Sequence, residues 1–218
     1  MRVFRPILAG ATLRDRAFAC LGALGGMGLV GFVSHWLIGA DKAAHLVLIG
    51  SIGASAVLVF AVPASPLAQP WPVLGGNVVS GLVGVVVAHT IPDPMIGAAV
   101  AVGVAIAAMS LLGCLHPPGG GTALTPVLVG PSIGWMFPLA PVALNAVLLI
   151  GAAWLFHRLA RHAYPHRAET VAPGPLAISE ADIDAALAEL HEPLDVSRDD
   201  LKAVAVLAAR HAASRRKS

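Results

Sequence analysis

The sequence predicts an all-α, polytopic transmembrane helix bundle with Pro/Gly-broken or re-entrant segments and a small C-terminal helical tail. Three observations lead there. The 218-residue chain is 57% hydrophobic and only 12% charged, which is outside the range of a soluble domain. Between Ala17 and Phe156 the formal charges are Asp41, Lys42 and Asp93, as the high cost of an intramembrane ion requires. Apolar stretches close to the roughly 20 residues that cross about 30 Å of hydrocarbon run from Ala17 to Ile38, Ala43 to Val62, Val73 to Ile91, Met95 to Leu115 and Pro138 to Phe156.

Residues 1–16 form a basic segment carrying Arg2, Arg5, Arg14 and Arg16. The apolar run behind it is longer than a signal-peptide core and has no small-residue cleavage site after it, so it reads as a retained first span. The links Gly39 to Ala43 and Pro92 to Pro94 are short enough to join antiparallel neighbours. Asp41, Lys42 and Asp93 within them read as solvated turn residues. The links Pro63 to Pro72 and His116 to Phe137 are instead long, uncharged and rich in Pro and Gly, which suggests segments that fold back into the membrane. Each follows an even-numbered span, so the chain reads as two copies of a unit made of span, break and span, a recurring design in transporters.

Basic residues flank both the first and the last span, Arg158, Arg161 and Arg167 at the latter, and favour a cytoplasmic location for both termini. Five crossings would separate the ends. A short or partial crossing by Thr122 to Gly134 restores an even count of six. Small residues at helical spacing, Gly22 with Gly26, Gly81 with Gly84 and Gly97 with Ala101, predict close helix packing within one chain. A homo-oligomer is also compatible with them. The transmembrane domain spans residues 17–160, a linker 161–177 and an amphipathic helical tail 178–218. In the tail, Ser179 with Asp182 and Ser197 with Asp200 give the start signal of a capped helix. Ile183, Leu187 and Leu190 make one apolar stripe, and Leu201, Val204, Leu207 and Ala208 another.

The two breaks carry the chemistry. In His116-Pro117-Pro118-Gly119-Gly120-Gly121-Thr122 the prolines stop the fourth span and the glycines let the chain turn. A helix starting near Thr122 would leave its first amides free beside a partly positive helix end, which is a site for an anion without a fixed cation. The other break offers Ser65 and Gln69 as caps and Gly75 and Gly76 for close approach. Two such ends would hold an anion weakly enough to release it. His116 reads either as a proton-sensitive ligand or as a cap on a carbonyl freed at the Pro break. Trp36, Trp71, Trp135 and Trp154 sit near span ends and suit interfacial anchoring.

Other classes find little support. Arg residues beside spans set orientation, so no nucleic-acid partner is expected. Cys20 and Cys114 lack paired spacing. No His-x-x-His or Glu-x-x-His pattern lies inside the membrane, so no metal is expected, and no cofactor either. Without a nucleophile elbow, a Walker loop or paired intramembrane carboxylates, an enzyme is not expected.

The stretches "SPLAQPWPVLGGNVVSGLVGV" (Ser65 to Val85) and "LHPPGGGTAL" (Leu115 to Leu124) resemble the HPP family of integral membrane proteins, in the same order. The tail stretch "DIDAALAELHEPLDVSRDDL" is similar to the C-terminal extension of many bacterial members. The resemblance implies about four transmembrane helices, a bacterial inner-membrane location, and movement of a small inorganic anion, nitrite or nitrate first. Three positions depart from the pattern: Trp71-Pro72 stands where Arg-Asn is common, and Asn77 stands where a His is usual. Asn77 completes the candidate substrate-binding set. The alternative function is a non-transporting membrane scaffold or sensor whose tail recruits a partner.

Overall fold

A computed structural model describes residues 12–38, 48–168, 170–172, 178–190 and 193–215. Arg2, Arg5, the link with Asp41 and Lys42, and Pro173 to Pro175 of the linker lie outside them. Among the described residues there are eight helices and no strand. They are α1 (Leu13–Ile38), α2 (Gly50–Ala61), α3 (Pro72–Thr90), α4 (Pro94–Leu111), α5 (Gly119–Val129), α6 (Pro138–Leu159), α7 (Glu180–Glu189) and α8 (Arg198–Arg215).

Four of these, α1, α3, α4 and α6, are long and apolar enough to cross a membrane. The other two apolar helices are half-length. With 12 residues in α2 and 11 in α5, each rises about 16 to 18 Å at about 1.5 Å per residue, well short of the hydrocarbon thickness. The expected second span, Ala43 to Val62, is therefore helical only over Gly50–Ala61 among the described residues. The expected extra segment is present as α5, displaced toward the N-terminus from Thr122–Gly134 to Gly119–Val129. Because α5 stands inside the last long link, the two proposed copies are not equivalent in elements. They share one detail: α3 and α6 each open with a Pro-led π turn, Pro72–Gly76 and Pro138–Ala143. In α6 the turn carries a kink at Ala140 (φ −131°, ψ 107°), beside Pro141, which has no N–H to give.

Described residues up to Pro63 and from Leu67 to Pro165 form one compact unit. In it α3 is the central helix, 56% buried against 22% for the peripheral α4. One apolar cluster joins Val30, Ile52, Phe60, Val73, Val142 and Leu149 from α1, α2, α3 and α6. A second joins Val87, Ala105, Met109, Ala123 and Val127 from α3, α4 and α5. Lipid gives helices no hydrophobic drive to associate, so close packing of small residues must supply it. Gly22 and Gly26 lie against the Phe60 ring, and Gly97 lies against Val127, which places these small residues in contacts within the chain.

The second unit comprises residues 64–66 with the tail from His166 onward. Ser179 and Asp182 form the expected capping box at α7. At α8, Ser197 Oγ donates to Asp200 at 2.6 Å and accepts from the Asp200 amide at 3.1 Å. Ile183 is buried as expected, whereas Leu190, at the end of the same predicted stripe, is 52% exposed. On α8 the buried residue is Val206, while Val204 is 64% exposed, so the predicted stripe is rotated. The run AVAVLAA puts apolar residues on several faces, and spacing alone does not choose between them.

Candidate functional site

Beside the Pro/Gly breaks, helices and links gather a set of uncharged polar side chains. α2 supplies Ser51 and Ser55, four residues apart and so on one face. α3 supplies Asn77 and Ser80, α5 supplies Thr122, and the α4–α5 link supplies His116. Ser55, Asn77, Ser80, His116 and Thr122 have no exposure to solvent, and Ser51 is buried as well.

His116 arrives there through a glycine rather than through the prolines. Gly113 adopts φ +61°, Cys114 N bonds Met109 O at 2.9 Å, and Gly113 N bonds Ser110 O at 3.3 Å. This is a left-handed helix stop, and it ends α4 at Leu111, before the predicted Leu115. Pro117 and Pro118 therefore do not break α4. They lead into α5, with Pro118 at its N-cap (φ −58°, ψ −22°), where a missing N–H has no consequence.

The hydrogen-bond pattern fixes nearly every proton. His116 Nδ1 lies 2.8 Å from the Leu67 carbonyl, which can only accept, so Nδ1 carries the hydrogen. In the neutral ring Nε2 is then an acceptor, and Ser55 Oγ, at 2.8 Å, donates to it. Asn77 Nδ2 donates to Val73 O at 2.8 Å, which sets the amide's orientation, and to Ser55 Oγ at 3.3 Å. Thr122 Oγ1 gives its single proton to Asn77 Oδ1 at 2.6 Å. Ser51, 2.6 Å away, must therefore donate to Thr122. The result is one directed chain, Ser51 to Thr122 to Asn77 to Ser55 to His116 to Leu67, tying α2, α3, α5 and both links together without a charge. Ser80 stands beside it, donating to Met109 Sδ at 3.4 Å.

The backbone amides are differently occupied from the sequence expectation. Gly119 N bonds His116 O at 2.8 Å, Gly120 N bonds Pro117 O at 3.1 Å, and Thr122 N bonds Pro118 O at 3.2 Å. Gly75 and Gly76 lie within the opening turn of α3. The glycines here serve close approach: a Cβ at Gly76 would fall 2.5 Å from His116 Cβ, and one at Gly119 would fall 2.6 Å from Ser80 Oγ. Gly120 meets nothing within 4 Å, and Gly121 meets Ser51 Cβ at 3.5 Å.

Of the candidate residues, the fold thus brings together His116, Asn77 and Thr122, with Gly76 and Gly119 against them and Pro117, Pro118, Gly120 and Gly121 alongside. Gly75 packs near Cys114 and Trp71. Gln69 Nε2 reaches Pro63 O at 2.9 Å, within its own link. Ser65 belongs to the second unit, with Oγ 2.8 and 2.9 Å from the Asp195 carboxylate oxygens. Sequence reasoning missed Ser51, Ser55, Ser80 and the Leu67 carbonyl. The i, i+4 serines of an otherwise apolar helix were the available signal, since polar groups in a span face the bundle interior. Asn145 was missed too: it donates to Ser34 Oγ at 2.9 Å and accepts from Ile49 N at 3.4 Å. Among the described residues no three His, Cys, Asp or Glu side chains converge as a metal site would require.

The model of the HPP transmembrane region matches residues 9–165, most of the chain. The chain belongs to the HPP transmembrane family. His116, Pro117 and Pro118 accordingly lie within the matched region of this multi-pass HPP membrane protein. Two curated relatives, both described as transmembrane proteins of Dictyostelium discoideum, are 35% identical over 133 residues and 39% identical over 127 residues. The matches take in 58% and 55% of this chain but 42% and 44% of the relatives, so the chain spans less than half their length. No solved structure matches it.

Proposed function

We propose that this HPP protein is a channel or low-affinity carrier for a small inorganic anion, nitrite or nitrate first, in a bacterial inner membrane with both termini cytoplasmic. The observation that carries the reading is the buried cluster of hydroxyl, amide and imidazole groups with no fixed charge. Its donors are side chains, since the amides of Gly119, Gly120 and Thr122 are engaged. A solute must draw hydrogens away from acceptors that already hold them, so each bond gained leaves an oxygen or nitrogen unpaired. Binding is weak for that reason, and permeation requires weak binding. A buried Lys or Arg would hold an anion more firmly at a large desolvation cost. No cofactor and no catalytic group is needed.

The test is nitrate and nitrite flux into liposomes holding the purified full chain. Wild type takes up both anions, and Thr122→Val slows flux about tenfold, the equivalent of one hydrogen bond of about 1.4 kcal/mol. Absence of flux at every pH and voltage rejects the reading. It would favour the scaffold or sensor alternative, which has one observation of its own: the directed chain is complete without a solute and suffices as a clasp between helices.

A further inference from the structure

We infer that the anion crosses together with a proton held at His116 Nε2, so that the transported unit is electroneutral. This rests on the proposed anion transport and adds its coupling.

The geometry provides for a second proton on the ring. When Nε2 gains one, a new N–H bond forms and the ring becomes a donor on both sides, with Nδ1–H still on Leu67 O. Ser55 Oγ then has to accept from Nε2 and needs another place for its own hydrogen. The Ser51 carbonyl stands 3.1 Å from Ser55 Oγ, already in position. Rotation of one hydroxyl accommodates the proton while Asn77 keeps its bond to Ser55. No heavy atom moves, and the rest of the chain from Ser51 to Asn77 keeps its direction.

Charge is what the site cannot accommodate alone. α2 and α5 carry no titratable residue, and neither do 62–71, the residues between α2 and α3. On α3 the titratable group is His89, which is exposed and stacked on Trp135. Before α4, Asp93 is exposed and bonded to the amides of Met95 and Ile96. On its own segment His116 has Cys114, a thiol. The remaining described acid of this unit, Asp15, is exposed and pairs with Thr12. Arg14 lies over Phe18, Arg16 reaches Ala61 O, and Arg158 lies over Trp154. Among the described residues of this unit, no carboxylate lies against an imidazolium at full burial, and an uncompensated buried charge is among the most costly arrangements a protein can hold. The least costly counter-ion is the solute itself. Proton and anion each favour the other's occupancy of the site, and either one alone is disfavoured.

Full-length protein in liposomes with a trapped pH dye tests this, using nitrate as the probe because, as a strong-acid anion, it carries no proton through lipid unaided. With the potential clamped at zero, an inward nitrate gradient is expected to acidify the lumen, and an imposed voltage to leave the nitrate rate unchanged. His116→Gln is expected to lose the acidification, and Ser55→Ala to slow it. The voltage measurement on wild type stands without either variant. Nitrate flux that follows voltage and leaves lumenal pH constant overturns the coupling and leaves transport standing. Absence of nitrate flux overturns both.

Discussion

A methyl group at Gly76 would lie 2.5 Å from His116 Cβ and 2.7 Å from Cys114 O, whereas one at Gly120 meets nothing within 4 Å. Backbone on the far side of Gly76 cannot swing away as a flexible side chain can. Gly76→Ala is therefore expected to lower stability by about 1 to 3 kcal/mol, as overpacking does. Gly119→Ala, directed at Ser80 Oγ and Met109 Sδ, should fall in the same direction. Gly120→Ala should leave stability unchanged or raise it by up to about 1 kcal/mol, because alanine loses less backbone freedom on folding. Thermal unfolding of the three variants in detergent decides the matter, and equal losses would refute this account. The sequence treats Gly119, Gly120 and Gly121 alike because their spacing carries no information about what faces them across the bundle. His116 and Thr122 were legible from the motif. Ser51 and Ser55 were legible only as two polar groups on one helix face, since nothing in their own helix says that Thr122 and His116 stand against them, 71 and 61 residues away.

Helix ends show a second limit of hydropathy. The apolar run continues through Leu115, yet α4 ends at Leu111 because Gly113 takes φ +61°, a conformation that composition does not report. α6 stops in the same way with a less suited residue: Arg161 has φ +58°, with His162 N bonded to His157 O at 2.9 Å and Arg161 N to Arg158 O at 3.3 Å. A left-handed L-residue costs about 1 to 2 kcal/mol. Gly113→Ala is expected to destabilise by about that amount and to disturb His116, whereas Arg161→Gly should stabilise by about 1 kcal/mol. Opposite signs in one unfolding assay would support both assignments. The start of α4 was partly legible: Asp93 is the exposed turn residue expected, but it is also the N-cap, accepting from Met95 N and Ile96 N at 2.9 Å each. The half-length of α2 and α5 was not legible, because an apolar run of about 20 residues and a shorter helix flanked by apolar chain have the same composition.

On the scale of the chain, composition separates two units with opposite electrostatics. The described acids of residues 12–165 are Asp15 and Asp93, both exposed. In the tail, carboxylates are paired: Asp184 with Arg198 at 2.9 Å, Glu180 with Lys202 at 3.8 Å, and Asp200 with His166 at 3.0 Å. Partial burial pushes the Asp200 carboxyl upward, but hydrogen bonds from Ser197 and His166, with the His166 charge, outweigh it and hold Asp200 below its ordinary value of 3.8. Bonds from the Ser179 backbone and hydroxyl lower Asp182 in the same way. A depressed carboxylate contributes stability that is fully present above its unfolded pKa and disappears as pH falls through the lower, folded value. The tail is therefore expected to be most stable at neutral pH and to lose stability as pH falls below about 4, while α3 and α5, held by uncharged bonds and packing, change little. Hydrogen-exchange protection read from pH 7 down to pH 3 checks this, with α7 and α8 losing protection first. Ser197→Ala removes the main bond that lowers Asp200, so its folded pKa rises toward the ordinary value. The loss of protection in α8 should then begin at higher pH and start from a smaller stability. An unchanged midpoint in that variant would show that Asp200 does not hold the tail, and simultaneous opening of α3 would show that the two units share one fate in acid.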